Sequence, residues 1–320
     1  MSHEQKNNLW RPSASLHTLR MRADVLKTIR NFFESRGVLE VETPLLSHTS
    51  VTDPFIDSMR VDLMTACYLQ TSPEYAMKRL LADGSGDIFQ IAKAFRQDEV
   101  GRWHNPEFTM LEWYRVGFDH HDLMNEVDAL LQLILKTAPA LRVTYAEVFR
   151  KYCDIDVHYA TLDALIQCAN AHHILVDPMG LNRDAWLELL MSSVIEPQFA
   201  AVRPVFLYDF PASQAALARI KPGNPATASR FEVYFKGMEL ANGFHELQNV
   251  AEQRQRFENN LKVRRERALP ELPIDEYFLA ALAYGLPDCA GIALGIDRLL
   301  MIKAEKEQIA EIMSFDFTRA

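Results

Sequence analysis

The sequence predicts an α+β fold in which an antiparallel sheet is flanked by helices, and three observations predict it. Strand-like runs are separated by helices of uneven length, not by a regular βαβ alternation. A hairpin-like pair, Ile88–Ile91 and Phe108–Leu111, encloses a charged turn. Neither a G-x-G-x-x-G nor a G-x-x-x-x-G-K-[S/T] run occurs, so any nucleotide site has to be built from side chains on a sheet.

The elements follow in order. Leu16, Leu19, Ala23, Leu26 and Phe33 recur at three- and four-residue steps, which predicts an amphipathic helix from Ser15 to Arg36 capped by Ser13 or Ser15. Gly37 stops it, and Val38–Val41 then alternates like a strand until Thr43-Pro44 ends the pairing. A second helix follows Pro73, whose ring suits a first helical turn, and runs to Gly84. Asp122–Thr137 is a third, with Leu123, Val127, Leu130, Leu131 and Ile134 on one side. From about Tyr145 to Phe199 the pattern is mostly helical and carries no chemical cluster. It is expected to be an insertion, at about 145–200, in a single domain spanning 1–320. Strand character returns at Val205–Tyr208, Phe231–Phe235 and Gly291–Leu294, and helices are expected over Ala251–Ala268 and Ile296–Lys306.

Composition narrows the function classes. A chain of 320 residues with 48% hydrophobic and 24% charged residues can bury a full-sized core. The net charge of -9 argues against a protein whose main work is gripping nucleic acid. Cys67, Cys153, Cys168 and Cys289 are scattered without metal-type spacing, as expected of reduced core thiols in a cytosolic protein. The N-terminal MSHEQKNNLWRPSAS has no basic region followed by an apolar run, and no apolar stretch reaches the ~20 residues of a membrane span. A cytoplasmic protein with no membrane partner is expected.

The most informative stretch is Phe95–Tyr114, FRQDEVGRWHNPEFTMLEWY. It sets Arg96, Gln97, Asp98 and Glu99, then Arg102, His104 and Asn105, around one turn. A fixed arginine on such a hairpin suits a nucleoside triphosphate whose α-phosphate is about to be attacked, because it spreads charge over the reacting oxygens. A solvated hairpin tip is the plainer reading of that turn taken alone. Two further segments change the balance: Gly37–Leu46, a helix end, strand and proline, and Gly291–Leu299, a strand that turns at Gly295 into a helix bearing Arg298.

In order and detail the three segments resemble the signature motifs of class II aminoacyl-tRNA synthetases. Arg102–Tyr114, Thr71–Tyr75 with Met77–Leu80, and Glu239–Leu247 are similar to the lysyl branch. The resemblance implies that Arg96 holds the α-phosphate and Arg298 the far end of ATP, with Gln97, Asp98, Asn105, Glu239, Leu240 and Gly295 also at the nucleotide. It implies Mg²⁺ on Glu239 and Glu246, whose hard oxygens suit it. It further implies a cationic amino acid held by Ser72, Pro73, Glu74, Tyr114 and Glu246, with Glu112 on the strand face of Tyr114. The family pattern reads Arg-x-Glu where this chain has Arg96-Gln97-Asp98, so either Asp98 or Glu99 faces the nucleotide.

A lysyl-tRNA synthetase places an anticodon-binding domain ahead of this one, and the first helix begins here by about Ser15. With the acidic charge, that makes tRNA a poor substrate. Phe210–Ala215 and Pro287–Gly295 are similar to the family of elongation factor P–(R)-β-lysine ligases, and Ala293 stands where lysyl-tRNA synthetases usually carry glycine. That resemblance implies an ATP-dependent ligase that makes a β-lysyl adenylate and passes it to a lysine ε-amine of elongation factor P. It also implies a homodimer through Gly37–Pro44. A truncated enzyme acting on tRNA and a silent regulatory paralogue are the alternatives.

Overall fold

A computed structural model describes residues 9–177, 180–199 and 203–320. Residues 1–8, part of the segment expected to lack a signal, lie outside the described residues, as do 178–179 and 200–202. Up to Gly117 the chain forms α1 (Leu16–Glu34), β1 (Leu39–Glu40), β2 (Leu46–Ser47), β3 (Arg60–Asp62), β4 (Ala66–Leu69), α2 (Glu74–Ala82), β5 (Ile88–Phe95) and β6 (Glu107–Val116). Then come α3 (His120–Leu135), β7 (Leu141–Thr144), α4 (Tyr145–Cys153), α5 (Leu162–Ala171), α6 (Arg183–Leu190), β8 (Val205–Pro211), β9 (Ile220–Lys221), β10 (Thr227–Phe235) and β11 (Met238–His245). The remainder is α7 (Val250–Glu266), α8 (Glu276–Gly285), β12 (Cys289–Gly295) and α9 (Ile296–Lys303). Two compact units result. One holds the chain to Gly117 with Gln248–Cys289 and Ala293–Ala320; the other holds Phe118–Leu247 with Ala290–Ile292.

In the first unit Ser15 caps α1, its hydroxyl accepting the Thr18 N–H at 3.1 Å. Ser13, the other candidate, donates to Asp316 at 2.6 Å. Gly37 takes a φ of +70°, open to glycine at no steric cost, and turns the chain into β1 alongside β5. The β5–β6 ladder runs from Ile88↔Tyr114 to Phe95↔Glu107, longer than the two sequence runs. Phe33 of α1 stacks on Phe89 at 4.6 Å and meets Trp113 edge-on, seating the helix on this hairpin. Pro73 occupies the cap position of α2, one place before the first turn. Helix α8 was not expected, since EYFLAALAYG is too apolar for a clear one-sided pattern. Asp275 caps it through the Phe278 N–H, and Phe278 stacks on Tyr75 at 4.6 Å, tying α8 to α2.

In the second unit β8, β10 and β11 are antiparallel neighbours, β9 joins β10, and β7 runs parallel to β8. The antiparallel sheet expected is thus a mixed one, with parallel pairs β1–β5 and β7–β8. Helix α3 starts two residues before the periodic run, because Asp119 accepts the His121 and Asp122 N–H groups and Asp122 completes a capping box. The helices α4–α6 bury Phe149, Leu165, Trp186 and Leu187 against Phe210 and Tyr234. Cys168 donates to the Cys153 carbonyl at 3.6 Å, and burial together with Cys168 pushes the Cys153 thiol up to about 12. Both thiols are raised by burial, Cys153 in the core and Cys168 half-buried against it. No helix of the described residues is long and apolar enough to cross a membrane.

Gly243 in β11 is a point of close approach. A Cβ there would sit 2.5 Å from the buried Phe231 ring and 3.1 Å from Ile292. Gly243→Ala is expected to cost about 2 kcal/mol through overpacking, measured as a loss of unfolding free energy in urea.

Candidate active site

The charged turn is held by backbone bonds on both flanks. The Arg96 N–H donates to the Pro106 carbonyl at 2.9 Å, and the Gln97 N–H donates to the Asp57 carbonyl at 2.8 Å. Asp98 takes a left-handed φ of 59°, a conformation that aspartate tolerates better than most residues. Its carboxylate accepts from the Gln97 amide at 3.3 Å. Glu99, and not Asp98, pairs with the Arg96 guanidinium, at 3.6 Å. Arg96 also lies over the Phe108 ring, and its Nε is buried without a hydrogen-bond partner among the described residues. A buried, unsatisfied donor of this kind is costly unless a ligand completes it.

Arg298 comes from α9, three residues after its cap Gly295. Its stem lies 3.9 Å from where a Cβ on Gly295 would stand. Its Nη2 meets His104 Nε2 at 2.6 Å. A guanidinium has no acceptor, so Nε2 accepts and the ring is neutral with its proton on Nδ1. Burial first, then the charges of Arg298 and Arg96, lower the pKa of His104 against an opposing pull from Glu99. One imidazole therefore lies in the field of both guanidiniums. Asn105 is buried and structural on its side-chain face, donating to the Glu107 carbonyl at 2.7 Å and accepting the Phe317 N–H at 3.0 Å.

Of the residues expected around an amino acid, Ser72, Pro73, Glu74 and Tyr114 lie in this unit and Glu246 in the other. Glu112 is buried and accepts from Ser72 and from Tyr114, each at 2.7 Å. Ser72 in turn accepts the Glu74 N–H at 3.1 Å, next to Pro73 at the cap of α2. Glu74 faces Lys78 at 2.5 Å, an ammonium that is almost wholly buried. Sequence reasoning missed Lys78, although its i,i+4 spacing from Glu74 was a usable signal.

In the second unit Glu239 lies near the start of β11, opposite Tyr234, and Leu240 beside it is buried. Glu246 follows the end of β11, 1% exposed, in a bridge with Ala218. The neighbouring β10 carries an unforeseen polar face. Arg230 binds Glu232, the Gln214 carbonyl at 2.9 Å and Asn242 at 3.3 Å, while Tyr234 donates to Glu232 at 2.5 Å. Burial opposes the charge on Arg230, but Glu232 and Glu239 outweigh it and raise its pKa. Arg230, Glu232 and Tyr234 alternate with Phe231, Val233 and Phe235, so the strand period could have exposed this face.

Glu112 has a measurable signature. Burial first, then the charge of Glu74, raises its carboxyl from 4.5 to about 8, against Tyr114, Ser72 and Lys78. The folded state then keeps a proton that the unfolded chain has lost. The stabilisation is present at low pH and disappears as pH rises through the folded value. Wild-type stability measured against Glu112→Gln by urea unfolding is expected to fall steadily from about pH 5 to 9. A flat difference would mean that Glu112 is ionised throughout.

The family model for tRNA synthetases class II (D, K and N) matches residues 4–319. A Vibrio cholerae protein named elongation factor P–(R)-β-lysine ligase is 51% identical, covering 98% of this chain and 99% of its own length. Proteins of the same name from Pseudoalteromonas translucida, 50% identical over 98% and 99%, and Haemophilus influenzae, 49% identical over 96% and 97%, are also similar. The chain belongs to the class II tRNA synthetases of the D, K and N group and, within it, to the family of elongation factor P–(R)-β-lysine ligases.

Proposed function

We propose that this chain is an ATP-dependent ligase that activates (R)-β-lysine as an adenylate and transfers it to a lysine ε-amine of elongation factor P. Relatives carrying that name at about half identity over nearly their whole length supply the substrate and the acceptor. The observation that supports the chemistry is the pairing of Arg298 with His104, whose ring also lies in the field of Arg96.

In the first step the β-lysine carboxylate attacks the α-phosphorus of ATP, and the bond to pyrophosphate breaks. Arg96 stabilises the charge that builds on the α-phosphate, and Arg298 steadies the far phosphates. Glu99 holds Arg96 in place, with Gln97 and Asp98 shaping the turn. Asn105, Leu240 and Gly295 border the nucleotide. Glu239 and Glu246 offer hard carboxylate oxygens, a donor set that fits Mg²⁺, and the ion when bound neutralises phosphate charge. Ser72, Pro73, Glu74, Tyr114 and Glu246 hold the amino acid, with Glu112 behind Tyr114. In the second step the acceptor amine attacks the mixed anhydride and AMP leaves; orientation supplies most of the rate.

On this reading residues 1–320 act as one catalytic domain in which the segment at about 145–200 is an insertion. The protein works in the cytoplasm as a homodimer through Gly37–Pro44, where Leu39 and Leu45 are exposed.

The test offers purified protein ATP, Mg²⁺ and radiolabelled β-lysine, with elongation factor P and tRNA competing as acceptors. Label is expected on elongation factor P, and Arg96→Ala is expected to slow ATP–pyrophosphate exchange by about 100-fold or more. Label on tRNA alone, or none on either acceptor, contradicts the reading.

A further inference from the structure

The carboxylate beside Arg298 is more tightly bound than any single helix start requires. Asp297 is 2% exposed. Its Oδ1 accepts from Arg22 Nη1 at 2.6 Å, and its Oδ2 accepts the backbone N–H of Thr109 at 2.6 Å. Arg22 closes the ring by donating from Nη2 to the Thr109 hydroxyl, also at 2.6 Å. Three elements meet here: α1 through Arg22, β6 through Thr109 and α9 through Asp297.

We propose that Asp297 is a positioning residue: with Arg22 and Thr109 it clamps the first turn of α9 to β6 and so sets the root of Arg298. The proposal rests on the reading of Arg298 as an ATP contact. A carboxylate in the first turn of a helix already suits the helix dipole. That effect needs no buried arginine from elsewhere in the chain, and burying the pair costs desolvation. What the ring adds is geometry. The two arms of the Arg22 fork bridge Asp297 and Thr109, and the two Asp297 oxygens are held by Arg22 and the Thr109 N–H. The closed ring fixes both the direction and the rotation of the carboxylate, where a single charge fixes neither.

The consequence falls on the next residue. Arginine is long, so a small rotation at its Cα becomes a large displacement at its guanidinium. The tip of Arg298 is held by His104, and the residue at its root by Thr109. His104 and Thr109 both belong to the hairpin that carries Arg96. The clamp thereby makes one rigid piece set the spacing between the two guanidiniums, which a phosphate chain of fixed length demands.

The test is a double-mutant cycle read by calorimetry, using a non-hydrolysable ATP analogue with Mg²⁺. Asp297→Asn keeps the shape of the side chain and removes its charge. It is expected to weaken the analogue by about tenfold in the wild-type background and by less than about twofold when Arg298 is already alanine. Arg22→Lys keeps the charge but loses the fork, and should show the same dependence on Arg298 with a smaller loss of about threefold. It also covers the case in which Asp297→Asn fails to fold. Equal weakening in both backgrounds would mean a merely structural role and overturn the proposal, as would no weakening in either. If Arg298→Ala alone binds the analogue as tightly as wild type, the reading of Arg298 itself fails, a result visible without touching Asp297.

Discussion

A long, flexible cation can stabilise charge at a fixed point only if it is held before the charge arrives, and Arg298 is held by its contact with His104. Neither common glycine-rich phosphate-binding run occurs in the sequence, so on the proposed reading side chains take over that task. An arginine side chain loses about 2 kcal/mol of rotamer freedom when it is fixed, and that entropy has to be met by contacts made in advance. The structure meets it with a neutral imidazole at the tip of one arginine, and with Glu99 and the Phe108 ring beside the other.

The acids behind the hairpin obey the same rule. A buried carboxylate needs a partner or a proton, and both solutions occur side by side. Glu74 has Lys78, while Glu112 has two neutral donors, Ser72 and Tyr114, and a raised pKa. With Glu74 paired to Lys78 and Glu112 holding a proton, the cluster is close to neutral despite its two carboxyls. An ammonium that reached Glu112 would favour its ionised form, so binding of a cationic amino acid would be linked to release of a proton. On the proposed reading, selection of an amine would rest on the full set of groups, not on one glutamate.

Local signals carried much of the fold. Ser15 before an amphipathic run, Gly37 after it, and the hairpin around Arg96 each depend on residues close in sequence, and each stands where the periodicity put it. Helix α8 escaped because its apolar residues do not keep to one side. The start of α3 escaped because a cap, not a hydrophobic residue, decides it. In the site, motif resemblance pointed to residues but not to their partners. Arg22 and Asp297 stand 275 positions apart, and His104 and Arg298 stand 194 apart. No spacing rule joins such pairs; the sheet and α1 bring them together. That Glu99 pairs with Arg96 while Asp98 takes a left-handed φ was equally out of reach, because it depends on the backbone of the turn.

If the hairpin and α9 present their arginines to one triphosphate, a crystal structure with a non-hydrolysable ATP analogue and β-lysine will show Arg96 within hydrogen-bond reach of the α-phosphate. Arg298 will lie within reach of the terminal phosphate of the same molecule and will still touch His104. A nucleotide bound elsewhere, or one that engages only one of the two arginines, would contradict that arrangement.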